Sequence, residues 1–232
     1  MSESIEVTRR ESSVLRISVR TAAILLAFTL VFTALMAGTY KATEPMVTAS
    51  ALAEKLRLIG EVLPPGQYDN DLMADSIILP PQGILGLDDE TRVWRARKGG
   101  APVALVFEAA ARDGYSGRIS LILAVDASGR LLALRVTTHK ETPGLGDYID
   151  PKKDKNKTQP WITQFSKLGF DSVPPKKWRV KKDGGRFDQM SGATISARAV
   201  TNASGRALAW AVENRDKLFA LPANSRFEEK QP

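Results

Sequence analysis

The chain has 232 residues, 43% of them hydrophobic and 25% charged, a balance suited to one folded domain with room for an anchor and tails. It contains no cysteine and one histidine, His139, which excludes disulfides, cysteine-ligated zinc, iron–sulfur clusters and c-type haem, and leaves almost nothing from which to build a His-based metal site or a Ser-His-Asp triad. The net charge of +7 draws on lysines gathered at 152–157 and 176–182 without interleaved stacking aromatics, so they read as solvated basic loops and no nucleic-acid partner is expected.

Residues 1–20 form a polar tail carrying Arg9, Arg10, Arg16 and Arg20. Residues 21–40 (TAAILLAFTLVFTALMAGTY) then run without a charge, about 30 Å as a helix, which predicts one membrane-crossing segment. The run exceeds the apolar core of a cleaved signal, so the anchor is expected to stay attached. The arginines before it, against Lys41 alone before Lys55, place the N-terminus in the cytoplasm and the bulk of the chain across the membrane. Residues 41–90 are expected to be a juxtamembrane helix and a connecting segment. Leu52, Leu56, Ile59 and Leu63 make an apolar stripe over 41–63, Pro64-Pro65-Gly66 ends the helix, Tyr68-Asp69-Asn70-Asp71 is a polar turn and 77–79 a short strand.

The next stretch has β character. Segments 91–97 and 103–109 flank Lys98-Gly99-Gly100, and 119–125 and 131–137 flank DASGR at 126–130. The second pair is strongly apolar, as expected of strands covered on both faces. A third turn is expected at Asp183-Gly184-Gly185, between 178–182 and 186–188. Residues 195–221 predict a long amphipathic helix, and 222–232 a polar tail frayed at its end. The expected fold is α+β: one N-terminal transmembrane helix, then a single domain over 91–221 with antiparallel strands and a packing C-terminal helix.

One segment invites chemistry. Ser191-Gly192-Ala193-Thr194 lies just before the long helix, where small side chains admit a ligand to the backbone and unpaired N–H groups suit a phosphate. A Ser-Gly-x-Thr before a helix is more often an ordinary N-cap. The loop Glu141–Gly146 (ETPGLG) is either a ligand-holding turn or a plain strand exit. His139 reads as structural, and Trp161 and Trp178 as packing residues.

Asp188-Gln189-Met190-Ser191-Gly192-Ala193-Thr194 resembles the flavinylation motif Asp-x-x-(Ser/Thr)-Gly-Ala-Thr. Gly114-Tyr115-Ser116-Gly117 and His139-Lys140-Glu141-Thr142-Pro143-Gly144-Leu145-Gly146 resemble the FMN-binding domain around it. Together with the single anchor and the Val62-Leu63-Pro64…Tyr68-Asp69-Asn70-Asp71 stretch, the chain resembles the G subunit of the Rnf (Rsx) ion-translocating electron-transport complex. The resemblance runs from the anchor to about residue 212. It implies FMN bound covalently through its phosphate to Thr194 by a flavin transferase, with Asp188 read by that transferase. It further implies cofactor contacts from Ser191, Gly192, Ala193, Thr142, Leu145 and Tyr115, and no catalytic residue in the chain. The implied role is an electron carrier among the other membrane subunits of a complex that links ferredoxin and NAD to sodium or proton movement. The implied place is a bacterial inner membrane, with the main domain periplasmic. Alternatives are the C-type subunit of the sodium-pumping NADH:quinone reductase, a stand-alone flavin reductase, and a membrane-tethered flavin-binding module without turnover.

Overall fold

The computed structural model describes residues 2–228; the side chains of residues 1–15 and 51, and so those of Arg9 and Arg10, lie outside the described set, as do residues 229–232 of the expected polar tail. The chain divides into two units, Met1–Glu54 and Lys55–Pro232. Where two helical segments were expected there is one helix, α1 (Ser2–Val62), with Pro45 inside it. The predicted segments 21–40 and 41–63 differ in hydropathy, which is not a helix stop. The hydroxyl of Thr43, close to Pro45, donates to the Thr39 carbonyl at 2.9 Å. Among the described residues α1 is the one helix long and apolar enough to cross a membrane. Its side chains from residue 16 to 50 are all exposed. The helix ends where the Leu63 amide closes the last turn on the Ile59 carbonyl at 2.8 Å and Pro64, with no amide to give, follows.

The second unit is built on a six-stranded antiparallel sheet in sequence order: β1 (Ser76–Leu79), β2 (Thr91–Lys98), β3 (Ala101–Gly114), β4 (Gly117–Asp126), β5 (Arg130–Thr138) and β6 (Leu168–Gly169). The two expected hairpins are β2–β3 and β4–β5. Strand β3 runs further than 103–109 and meets β4 through Tyr115-Ser116. Strand periodicity divides the side chains between two cores. Leu105, Phe107, Leu121, Leu123 and Leu134 join the core that includes α2 (Thr194–Ala220), with Ala203, Ala207 and Trp210. Trp94, Val106, Ile122 and Ala124 turn the other way, to Ile59, Val62 and Leu63 at the end of α1. The apolar β4–β5 pair is therefore covered on both faces, as its sequence predicts. Of the stripe on the juxtamembrane helix only Ile59 and Leu63 are buried, whereas Leu52 and Leu56 are exposed.

Two segments take a larger part in the fold than their sequence suggests. The segment 55–90 is part of the compact unit, since Leu72, Ile77, Leu79 and Leu85 are core residues. The C-terminal segment is not simply a frayed tail: the Ile78 amide donates to the Ser225 carbonyl at 2.9 Å and the Phe227 amide to the Ile78 carbonyl at 2.8 Å. That pairing covers the β1 edge and buries Phe227 against Trp210, with ring centroids 5.9 Å apart.

Candidate functional site

Three chain segments converge on the N-terminus of α2. Turn 190–193 leads into the helix, the β3–β4 hairpin tip carries Tyr115, and loop 141–146 follows β5. Together they line a cavity of about 230 Å3 with Tyr115, Glu141, Thr142, Leu145, Gly146, Gly192, Ala193, Ile195 and Ser196. Three apolar side chains at this cavity are left open to solvent: Tyr115 is 67% exposed, Leu145 51% and Ile195 44%.

The turn is shaped for close approach. Gly192 has φ of +86°, a conformation that L side chains disfavour, and a Cβ added there would meet nothing within 4 Å. The N-cap of α2 is Ala193, with no side-chain capping hydrogen bond, and Thr194 is the first helical residue, half-buried. The ordinary N-cap reading of this segment is not met by a side chain: Ala193 is the N-cap, and Ser191 is exposed. Backbone N–H groups in a first turn without a side-chain cap can receive an anion, since the helix dipole adds to their partial positive charge.

Tyr148 fixes the turn from below. It lies in a short 3-10 helix, Gly146–Ile149, and its hydroxyl accepts the Met190 amide at 3.1 Å and donates to the Ala193 carbonyl at 3.3 Å. Burial pushes its phenol above the ordinary tyrosine range; the bond from Met190 pulls it down and the charge of Asp154 pushes it up. Loop 141–146 is tightened by the amides of Leu145 and Gly146, both donating to the Thr142 carbonyl at 3.1 and 3.0 Å. Buried Glu141 takes the Ser116 amide on Oε1 at 2.9 Å and the Ser196 hydroxyl on Oε2.

Asp188 stands apart from the cavity. Its exposed carboxylate pairs with Lys181 at 2.6 Å, while its backbone is held by the side chains of Gln164 and Trp161. Trp161 and Trp178 pack as expected: Trp161 lies edge-on to Tyr148, and Trp178 donates to the Ser204 hydroxyl at 3.0 Å. His139 Nδ1 accepts the Glu141 amide at 3.2 Å. The structure thus brings Tyr115, Thr142, Leu145, Gly192 and Ala193 together, with Thr194 between two lining residues. Tyr148, Ile195 and Ser196 were missed from the sequence. Ser196 and Ile195 follow directly on the Thr194 motif, so helical spacing offered a signal; for Tyr148, over forty residues away, there was none.

Comparison with known proteins adds what geometry alone does not. Residues 114–209 match the family model of the FMN-binding domain, a span that encloses every residue lining the cavity. Residues 13–62 match the RnfG N-terminal region, which covers most of α1. The G subunit of the ion-translocating oxidoreductase complex of Shewanella loihica is 39% identical over 206 residues, covering 89% of this chain and 95% of the relative. The corresponding G subunit of Cronobacter sakazakii is 42% identical, covering 84% and 91%, and that of Pseudomonas aeruginosa 40%, covering 88% and 94%.

The chain belongs to the family of G subunits of ion-translocating oxidoreductase complexes.

In this G-subunit chain the two family regions coincide with separate parts of the structure: the N-terminal region with α1, the FMN-binding domain with the residues from the β3–β4 tip to the third quarter of α2.

Proposed function

We propose that this chain is the FMN-carrying, single-pass subunit of a membrane ion-translocating oxidoreductase. It would hold the flavin by a phosphoester to the Thr194 hydroxyl. The observation that carries this reading is the placement of Thr194. It is the first residue of a helix without a side-chain cap, beside a cavity that the ETPGLG loop and the Tyr115 hairpin also line.

The residues present fit such a group. Backbone N–H groups at the start of α2 and the open, left-handed Gly192 would receive the phosphate, and the exposed apolar side chains of Tyr115, Leu145 and Ile195 would flank a planar ring. FMN, when bound, supplies the one- and two-electron redox chemistry that no side chain here can provide. The chain itself holds, orients and partly shields. A linkage through phosphate leaves the ring unmodified and prevents loss of the cofactor. Asp188, exposed on the approach to the turn, would be read by the flavin transferase that forms the link.

The arginines before the apolar run of α1 favour a cytoplasmic N-terminus, with the Lys55–Pro232 unit on the periplasmic side of a bacterial inner membrane. There the chain would pass electrons between neighbouring membrane subunits of a complex coupling ferredoxin and NAD to sodium or proton transport. Denaturing electrophoresis under ultraviolet light tests the central claim. From cells with an active flavin transferase, the 25.3 kDa wild-type chain should give a fluorescent band, and Thr194→Ala none. A dark wild-type band, or a Thr194→Ala band as bright as wild type, would overturn the covalent assignment.

A further inference from the structure

We propose that Glu141 is the positioning residue of this cavity, tying its three walls together and setting the charge that faces the flavin. Glu141 is only 4% exposed and belongs to loop 141–146. One oxygen takes the amide of Ser116 at the β3–β4 tip, 25 residues away in sequence; the other takes the hydroxyl of Ser196 in the first turn of α2, 55 residues away. One carboxylate thus joins loop 141–146 to the hairpin tip and to the first turn of α2, and it lines the cavity itself. The Ser116 amide can only donate, so that oxygen of Glu141 must accept.

The packing leaves no room for a side chain at Gly146 beside this clamp. A Cβ built on Gly146 would stand 2.6 Å from Ser196 Oγ and 2.9 Å from Glu141 Oε2, closer than such atoms approach, so a side chain there would displace the pair. Glycine at 146 is explained by the clamp and not by its backbone angles. The hairpin tip gains from it most directly, because Tyr115 and its neighbours stand exposed at the end of two strands.

The electrostatic half of the proposal rests on the FMN reading. A negative group in a shielded wall opposes added electron density on a ring beside it, since charges in a partly buried site interact more strongly than in water. Glu141 then holds the flavin's reduction potential down.

Two measurements separate the clamp from the charge. In the full-length Thr194→Ala chain in detergent, which lacks the attachment oxygen, hydrogen exchange reads the clamp alone. Glu141→Ala should speed exchange of the Ser116 amide about tenfold, the loss of roughly one charge-assisted hydrogen bond. Glu141→Gln keeps an acceptor for Ser116 and should leave that amide protected. Should Glu141→Ala fail to fold, Gly146→Ala is expected to cause the same local loss. Unchanged protection of Ser116 in whichever of these two variants folds overturns the clamp. In the flavin-loaded full-length chain, redox titration reads the charge: Glu141→Gln should move the midpoint to more positive potential, and the surface variant Glu90→Gln should not. A Glu141→Gln midpoint coincident with wild type overturns the electrostatic role. A wild-type chain without flavin sinks the FMN reading and this role with it, while the exchange result still decides the clamp.

Discussion

The hydroxyl of Tyr148 accepts the amide of Met190 at 3.1 Å, and the same oxygen donates to the Ala193 carbonyl at 3.3 Å. One side chain thereby satisfies two backbone groups of the turn that presents Thr194. Tyr148→Phe should leave both without a partner and cost about 1–3 kcal/mol of stability in urea unfolding. It should also lower the fraction of chain carrying flavin, because the turn would no longer be held in one conformation.

The same residue predicts a pH dependence. Burial raises the phenol of Tyr148 above its ordinary value, so the folded chain keeps a proton that the unfolded chain has lost. Stability from this group is complete below about pH 10 and falls as pH rises through that value toward the folded pKa. Melting temperature measured from pH 8 to 11 should fall more steeply for wild type than for Tyr148→Phe. Parallel curves would show that Tyr148 contributes nothing to the alkaline limb.

Gly192 is required for its backbone, not for space. A Cβ there meets nothing within 4 Å, but φ is +86°. Gly192→Ala should therefore cost about 1–2 kcal/mol through conformational strain alone. Gly192→Asn, more tolerant of positive φ, should recover part of it. Thermal unfolding of the two variants in the flavin-free chain checks the order.

Much of this architecture was legible. The β4 and β5 strands announced themselves by continuous apolar runs around a turn, and α2 by apolar residues at helical spacing. Local signals carried these elements. What failed was non-local. Strand β6 is two residues long and exists only because β5 offers it an edge. Residues 224–228 look polar, and a lone Phe227 does not reveal a pocket made by Trp210 on another element. At the site, Thr142, Leu145 and Thr194 were marked by motif, whereas the partnership of Tyr148 with the turn depends on a fold that brings together residues 42 apart.

That hidden tail contact carries its own prediction. Phe227 is 1% exposed, packs on Trp210, and lies under the Lys217 ammonium at 4.5 Å. Phe227→Ala should remove about 3–5 kcal/mol. It should also free the β1 edge, visible as faster hydrogen exchange at the Ile78 amide. A loss below about 1 kcal/mol would mean that the tail is dispensable.

The far end of α2 is secured by a buried charge that strand pattern conceals. In β2, alternation places Val93 and Arg95 on the α2 side of the sheet, so Arg95 enters the core at 2% exposure. Its guanidinium donates to Asp75 Oδ1 at 2.7 Å and to the Leu218 carbonyl at 2.9 Å, and also reaches the Leu221 carbonyl. Arg97 repeats the arrangement, donating to Asp75 Oδ2 at 2.8 Å and to the Phe219 carbonyl at 2.9 Å. Two cations thus meet the negative end of the α2 dipole and the carbonyls that have no partner within the helix. Asn70, from the Tyr68-Asp69-Asn70-Asp71 stretch, takes the Arg97 amide at 2.7 Å and donates to the Arg95 carbonyl at 2.9 Å, so that segment serves the clamp. Arg95→Met should cost about 3–5 kcal/mol, because the carbonyls of Leu218 and Leu221 and one side of Asp75 lose their donor together. Arg95→Lys should fall between, since an ammonium cannot reproduce the planar fork. A double-mutant cycle with Asp75→Asn in urea unfolding measures the coupling. Additive losses would show that Arg95 acts through the helix end alone.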